Sequence, residues 1–241
     1  MITFCDLDDR NPALSLSPLV RGVEKTLGWM AEHGGIPLTP AKAFKRSFVH
    51  WAAAEFAWPG HTADELFAVC KVLNEADFMP LHMLHGLMLA MRLGRHYKGE
   101  FRLTKAGQDL AGRPGLIFSA MVPVFLFHLN HASLSARNEE AVPLVNWDVF
   151  LNVLNVETQN GATGGELRRV FFGEPESGPA WQHDYVMSGL YINVLRPLCW
   201  AGLLQKTEDA GNFRFSGAVF TKTPLWQAAL QLDTDCMERA G

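Results

Sequence analysis

The densest positive charge in the chain lies in residues 92–105, RLGRHYKGEFRLTK. The segment holds five Lys or Arg residues against a single Glu, a formal charge of +4, and Tyr97 and Phe101 lie between the basic residues. Basic side chains neutralise phosphate oxygens, and these contacts supply much of the affinity of a protein for nucleic acid. The segment therefore predicts a surface that contacts phosphates.

A second basic group, Lys42, Lys45 and Arg46, falls on a segment that we predict to be helical. The chain as a whole has a formal charge of −4, so it has no global basic field. Residues 1–113 carry 13 basic and 12 acidic residues, hence +1, whereas residues 114–241 carry 8 and 13, hence −5. A preference for polyanions should therefore lie in the first half. The candidate nucleic-acid-binding residues are Lys42, Lys45, Arg46, Arg92, Arg95, Lys98, Arg102 and Lys105.

Two histidine pairs have a spacing that could hold a metal ion. His82 with His85, and His128 with His131, are three residues apart, so both members of each pair lie on one face if the segment is helical. A protein metal site also needs a third or fourth ligand, and the sequence neighbours supply none. Histidines at a surface or an interface are the plainer interpretation, and we expect no metal.

The sequence contains none of the common catalytic motifs. Gly-x-Ser-x-Gly, His-Glu-x-x-His and Gly-x-Gly-x-x-Gly are all absent. The Gly-rich segment GATGGE, residues 161–166, could present backbone N–H groups to an anion, but it lacks the Gly-Lys-Ser/Thr of a phosphate loop and is more typical of a flexible capping loop. We expect a non-enzymatic protein without a cofactor.

Cellular location follows from the cysteines and the apolar runs. The four cysteines are far apart and form no CxxC pair, which predicts reduced thiols in a cytoplasmic protein. The acidic N-terminus has no apolar core typical of a secretory signal. The longest largely apolar run, residues 116–129, is shorter than the ~20 residues that span a bilayer, so we expect no membrane contact.

The elements that must position the basic segment can be predicted from capping and periodicity. In the first half we predict helices at residues 17–33 and from residue 39 to 56, a helix with a Thr62/Glu65 capping box, and a helix at 79–92. Behind the capping box, the predicted apolar stripe consists of Leu66, Val69, Cys70 and Leu73. Lys98-Gly99 is a plausible hairpin tip, and Thr104 can cap a short helix that ends at residues 112–115. A helix followed by such a hairpin is the helix-plus-wing half of a winged-helix domain.

The second half repeats this order more loosely. We predict helices at residues 116–131 and 145–156, a helix capped by Thr163 and Glu166, and a helix at 180–195 that Pro197 ends or kinks. Strand segments follow at residues 200–204, 213–215 and 219–220, and residues 221–224 are predicted to begin the last helix. The fold class is mainly α with small β-hairpins, arranged as tandem winged-helix-like domains at residues 1–113 and 114–241.

Four segments carry a family resemblance: GIPLT (35–39), LGRHYKGEFRLTKAGQDL (93–110), RPLCWAGLL (196–204) and FTKTPL (220–225). Together they resemble a group of uncharacterised bacterial proteins, some of them plasmid-borne, in which a short hairpin closes with Leu-Thr-Lys-x-Gly. The resemblance covers about the first 115 residues and, more loosely, the last 45. It implies a winged-helix-like fold and no catalytic residues.

The helix before the first hairpin argues against strong base recognition. Between residues 81 and 91 only His82, His85 and Gly86 are non-apolar, whereas base readout uses Arg, Lys, Asn or Gln. Such a helix is typical of core packing, here between the two domains, or of a protein interface. We expect a DNA-binding, transcription-regulator-like protein that contacts double-stranded DNA through its first wing. The alternative is a protein-interaction or scaffold module, with a protein partner or a second copy, that uses the Met-rich helix 79–92 and the acidic second domain.

Overall fold

The computed structural model describes residues 2–135, 146–174, 180–207 and 215–237, and their contacts divide the chain into two compact units. The first unit is Asp8–Met121, and the second unit is Met1–Leu7 with Val122–Gly241. Both are mainly helical with small antiparallel sheets, so the fold class is confirmed at that level. The expected boundary at residues 113 and 114 lies in the turn before a helix, whereas the contact-based division falls inside that helix.

The first unit is a set of helices around one small sheet. The short strand β1 (Thr3–Phe4) precedes the first unit in sequence and belongs to the second unit. The elements of the first unit are α1 (Pro18–His33), β2 (Ile36–Pro37), α2 (Arg46–Phe56), α3 (Ala63–Val69), α4 (Met79–Ala90), β3 (Gly94–Tyr97), β4 (Glu100–Leu103), α5 (Lys105–Leu110) and the beginning of α6 (Pro114–His128), with 3-10 turns at Pro12–Leu16 and Glu75–Asp77.

Strand order in this sheet is β2-β4-β3, all antiparallel, so β3 is an edge strand. The hairpin turns at Lys98 (φ 48°) and Gly99 (φ 78°), and two successive left-handed residues are the geometry of a tight two-residue turn. This confirms the predicted hairpin tip. The ring of Phe101, fully buried on β4, lies directly against the backbone of Gly94 across the strand pair.

Helix ends in the first unit follow the capping residues. The Ser17 hydroxyl accepts the Val20 N–H at 3.2 Å, and the Thr62/Glu65 capping box is present at the start of α3. The core face of α4 packs closely on α1 at Gly22, which has no side chain; a Cβ there would lie 2.8 Å from the Leu84 side chain. The predicted stripe on α3 is wrong at Val69, which is 85% exposed, whereas Leu66 and Leu73 are buried.

The second predicted helix begins later than expected. Residues 39–45 form a turn in which the Thr39 hydroxyl accepts the Ala43 N–H at 3.2 Å, Lys42 has φ 63°, and Leu38 pairs with Phe44 in a β-bridge. The helix α2 starts only at Arg46. The turn forms because a Thr hydroxyl competes locally for backbone N–H groups. The helical spacing of the Phe residues therefore predicted a helix start that is too early.

The second unit contains the remainder of α6 and a second small sheet. Its elements are α7 (Trp147–Glu157), β5 (Ala162–Thr163), α8 (Gly164–Phe172), α9 (Ala180–Leu190), α10 (Arg196–Ala201), β6 (Leu204–Thr207), β7 (Val219–Lys222), α11 (Pro224–Ala229) and β8 (Leu230–Gln231), with a 3-10 turn at His131–Leu134. Sheet order is β5-β7-β6, and β1 pairs with β8. Of the strand predicted at residues 213–215, Phe213 and Arg214 lie outside the described residues, and Phe215 lies in a turn instead. No helix in the described part of the chain is long and apolar enough to cross a bilayer.

Of the two predicted effects of Pro197, it does not end the long helix of the second unit, but the helix is irregular just before it. Between α9 and α10 the chain forms a π-helical turn at Tyr191–Leu195, in which the Arg196 N–H donates to the carbonyl of Tyr191. A proline cannot donate to the carbonyl four residues earlier, and the wider turn accommodates it. Trp200 and Ala201, expected to enter a strand, are therefore still helical.

The two units share one order of elements around their three-stranded sheets. In each, a short strand precedes two or more helices, a hairpin follows, and the returning strand is the middle one. The residue after each hairpin also repeats its contacts. The Thr104 hydroxyl donates to the carbonyl of Arg92 at 2.6 Å, and the Thr223 hydroxyl donates to that of Gly202 at 2.6 Å.

The contact between Gly94 and Phe101 gives a stability prediction. A Cβ on Gly94 would lie 2.2 Å from the Phe101 ring, so Gly94→Ala should lower the free energy of unfolding by about 1–3 kcal/mol. Gly86→Ala is the matched control, because a Cβ there has nothing within 4 Å and Ala favours the helix. Urea unfolding of both variants measures this; equal effects would contradict the packing.

Buried His131 gives a second, pH-dependent prediction. Desolvation lowers the pKa of His131 from 6.5 to about 4, so its stabilising neutral form is kept above pH 6.5 and lost as the pH falls towards 4. The free energy of unfolding of the unchanged chain should fall between pH 7 and pH 4.5. In His131→Gln this fall should be smaller by about 2–3 kcal/mol, as measured by urea unfolding at the two pH values. The exposed His128, changed to Gln, is the control and should leave the difference as it is.

Candidate nucleic-acid interface

Alternation along the first hairpin places its basic residues on one face. Arg95 pairs with Arg102, and Tyr97 pairs with Glu100, so these four side chains share the outer face of the sheet. Of their neighbours on the strands, Gly94 and Phe101 are buried, whereas His96 and Leu103 are half-buried. The sequence RHYKGEFR therefore divides into a charged outer face and an inner face that carries His96 and Phe101.

Three of the predicted binding residues meet around one aromatic ring. The cationic groups of Arg95, Lys98 and Arg102 lie 5.4, 5.3 and 5.5 Å from the centroid of the Tyr97 ring, and Tyr97 is 42% exposed. We call Arg95, Tyr97, Lys98 and Arg102 the wing platform. The Arg102 guanidinium also pairs with Glu100 at 2.7 Å. At exposed positions each cation–π contact is weak, so its main effect here is to keep the cations close together.

The other two basic residues of the segment flank the wing platform. Lys105 is the first residue of α5 and lines, with Arg95, a shallow groove of about 510 Å³. Asp109 also lines this groove, so its lining is of mixed charge. Arg92 follows the end of α4 with φ 57°, and its side chain is exposed. These residues extend the basic surface without contacting the Tyr97 ring.

The second basic group is not on a helix face, which corrects the expectation. Lys42 lies in the turn before α2, and Lys45 is the capping residue of that helix. Only Arg46 is helical, and its Nε donates to the Asn74 side chain at 3.0 Å. Burial lowers the pKa of His96 on β3, and the charges of His85 and then Lys42 lower it further.

The Met-rich helix α4 is core in the first unit. Met83 is 3% exposed and Met88 is fully buried, so neither is a surface contact. The exposed positions are His82, Gly86, Leu89 and Ala90. They include no Arg, Lys, Asn or Gln, so α4 offers little for reading bases.

A buried carboxylate beneath the hairpin escaped the sequence analysis. Glu75 is 3% exposed, and its Oε1 lies 2.9 Å from Nδ1 of His85 and 3.2 Å from Nδ1 of His82. Its Oε2 accepts the backbone N–H of Phe44. Burial alone would raise the pKa of Glu75, but the hydrogen bonds from His85, Phe44 and His82 outweigh it and lower the pKa. Glu75 is therefore an ionised acceptor, and both histidines donate from Nδ1.

The same contacts lead outward to the hairpin. Nε2 of His85 lies 3.0 Å from Nε2 of His96, the residue between Arg95 and Tyr97 on β3. The His85 ring stacks on Phe44 with centroids 3.9 Å apart and meets Phe101 edge-on at 4.9 Å. Desolvation first, and then the charges of His85 and Lys42, lower the pKa of His96. We call Glu75, His85 and His96 the histidine relay.

The two histidine pairs do not assemble a metal site. Within the described ranges, no group of three or more His, Cys, Asp or Glu side chains is arranged to hold a metal ion. His82 and His85 both point Nδ1 at the same oxygen of Glu75. His131 lies beyond the end of α6, where its Nε2 donates to the Phe125 carbonyl at 2.8 Å.

The backbone N–H groups of the Gly-rich segment in the second unit donate hydrogen bonds within the protein. The N–H groups of Gly164 and Gly165 donate at 2.9 Å to the carbonyls of Ala218 and Ser216. Thr163 and Glu166 form the predicted capping box at the start of α8. A phosphate would have to displace these bonds, so the capping interpretation is confirmed.

Comparison with known proteins identifies a family and a relative that match most, but not all, of this chain. The model of the y4jL N-terminal domain matches residues 15–116, and that of the y4jL C-terminal domain matches residues 136–224. The uncharacterised protein y4jL of Sinorhizobium fredii is 38% identical over 156 residues, which is 64% of this chain and 69% of that protein. No solved structure matches the chain.

Proposed function

The chain belongs to the y4jL family of bacterial proteins, and we propose that it is a tandem winged-helix protein that binds double-stranded DNA through its first hairpin. In this proposal it acts by binding, in the manner of a transcription regulator, and has no catalytic role. The wing platform is the observation that carries the proposal.

The order of elements supports the winged-helix part. In the first unit α1, β2, α2, α3 and α4 are followed by the β3–β4 hairpin, and β2 completes the sheet against β4. This order supports a helix-turn-helix arrangement with an added wing. The matching sheet order β5-β7-β6 in the second unit supports the tandem part.

The charges of the first hairpin support phosphate contact. Three cations lie within 5.5 Å of the Tyr97 ring centroid, whereas a single carboxylate, Glu100, pairs with one of them. Basic groups clustered on an exposed hairpin suit the closely spaced phosphates of a duplex. The exposed side of α4 lacks base-reading side chains, so we expect modest sequence preference and strong dependence on salt.

A salt titration tests the proposal. Binding of a mixed-sequence duplex, followed by fluorescence anisotropy, should weaken steeply from about 50 to about 200 mM salt. Replacing Arg95, Lys98 and Arg102 together by Ala should weaken binding at least roughly tenfold at the lower salt concentration. It should also reduce the slope of log K against log salt by about 2–3, since each phosphate contact contributes about 0.9.

A matched control removes the same charge from elsewhere in the first unit. Arg10, Lys71 and Arg113 are exposed basic residues outside the predicted interface, and replacing all three by Ala should leave the salt slope nearly unchanged. Equal losses of DNA affinity in the two triple variants would show that only net charge matters, and would remove the wing platform from the proposal. Absence of any salt-sensitive binding would end it.

Protein binding is the second candidate, and one observation supports it. Phe67, Val69 and Val72 are 42%, 85% and 50% exposed along and after α3, which is a large apolar exposure for so short a segment. In this alternative α3 replaces the buried methionines of α4 as the contact, together with the acidic second unit.

Light scattering separates this candidate from the first. A dimer or a co-purifying partner that is lost on changing Val69 to Lys, without salt-sensitive DNA binding, would support protein binding. A monomer whose DNA affinity is unaffected by Val69→Lys would exclude it.

A further inference from the structure

The histidine relay joins the wing platform to the core of the first unit. His96 lies between Arg95 and Tyr97 on β3, and alternation along a strand directs it to the opposite, inner face. On that face it meets His85 of α4 and the edge of the Phe101 ring. Since β3 is an edge strand, β4 holds it on one side only, and the His85–His96 contact is a side-chain link between β3 and α4.

The chemistry of the relay allows only one proton between the two rings. The ionised Glu75 accepts from Nδ1 of His85, which leaves Nε2 of that ring to face Nε2 of His96 at 3.0 Å. Either ring can donate and the other accept. If both carry a proton on Nε2, two N–H donors face each other and the hydrogen bond is lost.

We propose that Glu75 and His85 are positioning residues for the wing: through a single proton shared between the two Nε2 atoms they hold His96, and with it the wing platform. Protonation of both rings, which places a proton on each Nε2, releases the strand. This inference rests on the proposed function in one respect, namely that the platform so held is the DNA contact. The release itself is a property of the free protein.

The groups facing His96 set the direction of the pH effect. Burial and the charges of His85 on α4 and Lys42 in the turn before α2 oppose its protonation, while Glu75 in the 3-10 turn favours it. His82 shares the Glu75 carboxylate from the exposed side of α4. The pKa of His96 is lowered from 6.5, so the attached form is kept at neutral pH and is lost only below that value.

Amide hydrogen exchange of the free protein tests the release directly. Between pH 7.5 and pH 5.5, exchange in residues 94–97, corrected for its intrinsic pH dependence, should accelerate at least fivefold. In His96→Gln, which keeps a side-chain hydrogen-bonding group but cannot titrate, the change should be less than twofold. The edge strand β6 of the second unit contains no histidine and is the internal control.

Glu75→Gln distinguishes positioning from a purely structural role. It keeps the shape of the side chain but removes the negative charge that favours the second proton, so the midpoint of the release should move to lower pH. A change in overall stability with an unmoved midpoint would overturn the role of Glu75. Because Glu75 is buried and this variant could unfold, His96→Gln, at a partly exposed position, provides an independent test.

DNA binding on the same samples separates this inference from the proposed function. At constant ionic strength, acidification to pH 5.5 should weaken binding at least threefold relative to His96→Gln. Release without DNA binding at any pH would refute the proposed function and leave the positioning role intact. DNA binding with unchanged exchange in residues 94–97 would refute the positioning role alone.

Discussion

One buried carboxylate organises the first unit. Glu75 joins three segments that are distant in sequence: the Phe44 backbone before α2, the histidines of α4 and, through them, the edge of the sheet. An ionised group that is 3% exposed is tolerated only when its acceptor sites are filled, and here three donors fill them. The hairpin therefore contacts α4 through polar side chains as well as through apolar packing.

Features that depend on neighbouring residues were predictable from the sequence. The caps at Ser17, Thr62 and Thr163 need only residues three positions apart, and the hairpin tip needs only Lys98-Gly99. The wing platform was predictable too, since strand alternation brings Arg95 and Arg102 to one face. Each of these depends on local geometry, which sequence patterns encode directly.

Features that depend on distant partners were not predictable. The start of α2 is set by the turn at Thr39 and by the Glu75 contact 31 residues further on, against a run of Phe residues that suited a longer helix. Glu75 carried no signal of burial, because an acidic residue in a polar stretch normally faces water. Its partners became visible only once α4 and β3 were placed beside it. The continuation of the helix through Pro197 similarly required a π turn that no local rule indicated.

That π turn makes the surface of the second unit differ from that of the first. A π turn inserts about one extra residue into a helix, and one residue corresponds to a rotation of about 100° about the axis. An uninterrupted helix would place the residues before Tyr191–Leu195 at other positions around its axis. The π turn therefore rotates these residues relative to the hairpin that follows. Two halves with the same connectivity can thus present differently directed side chains in front of their hairpins. Two units with one order of elements and such a phase shift can keep the same architecture while they bind unlike partners.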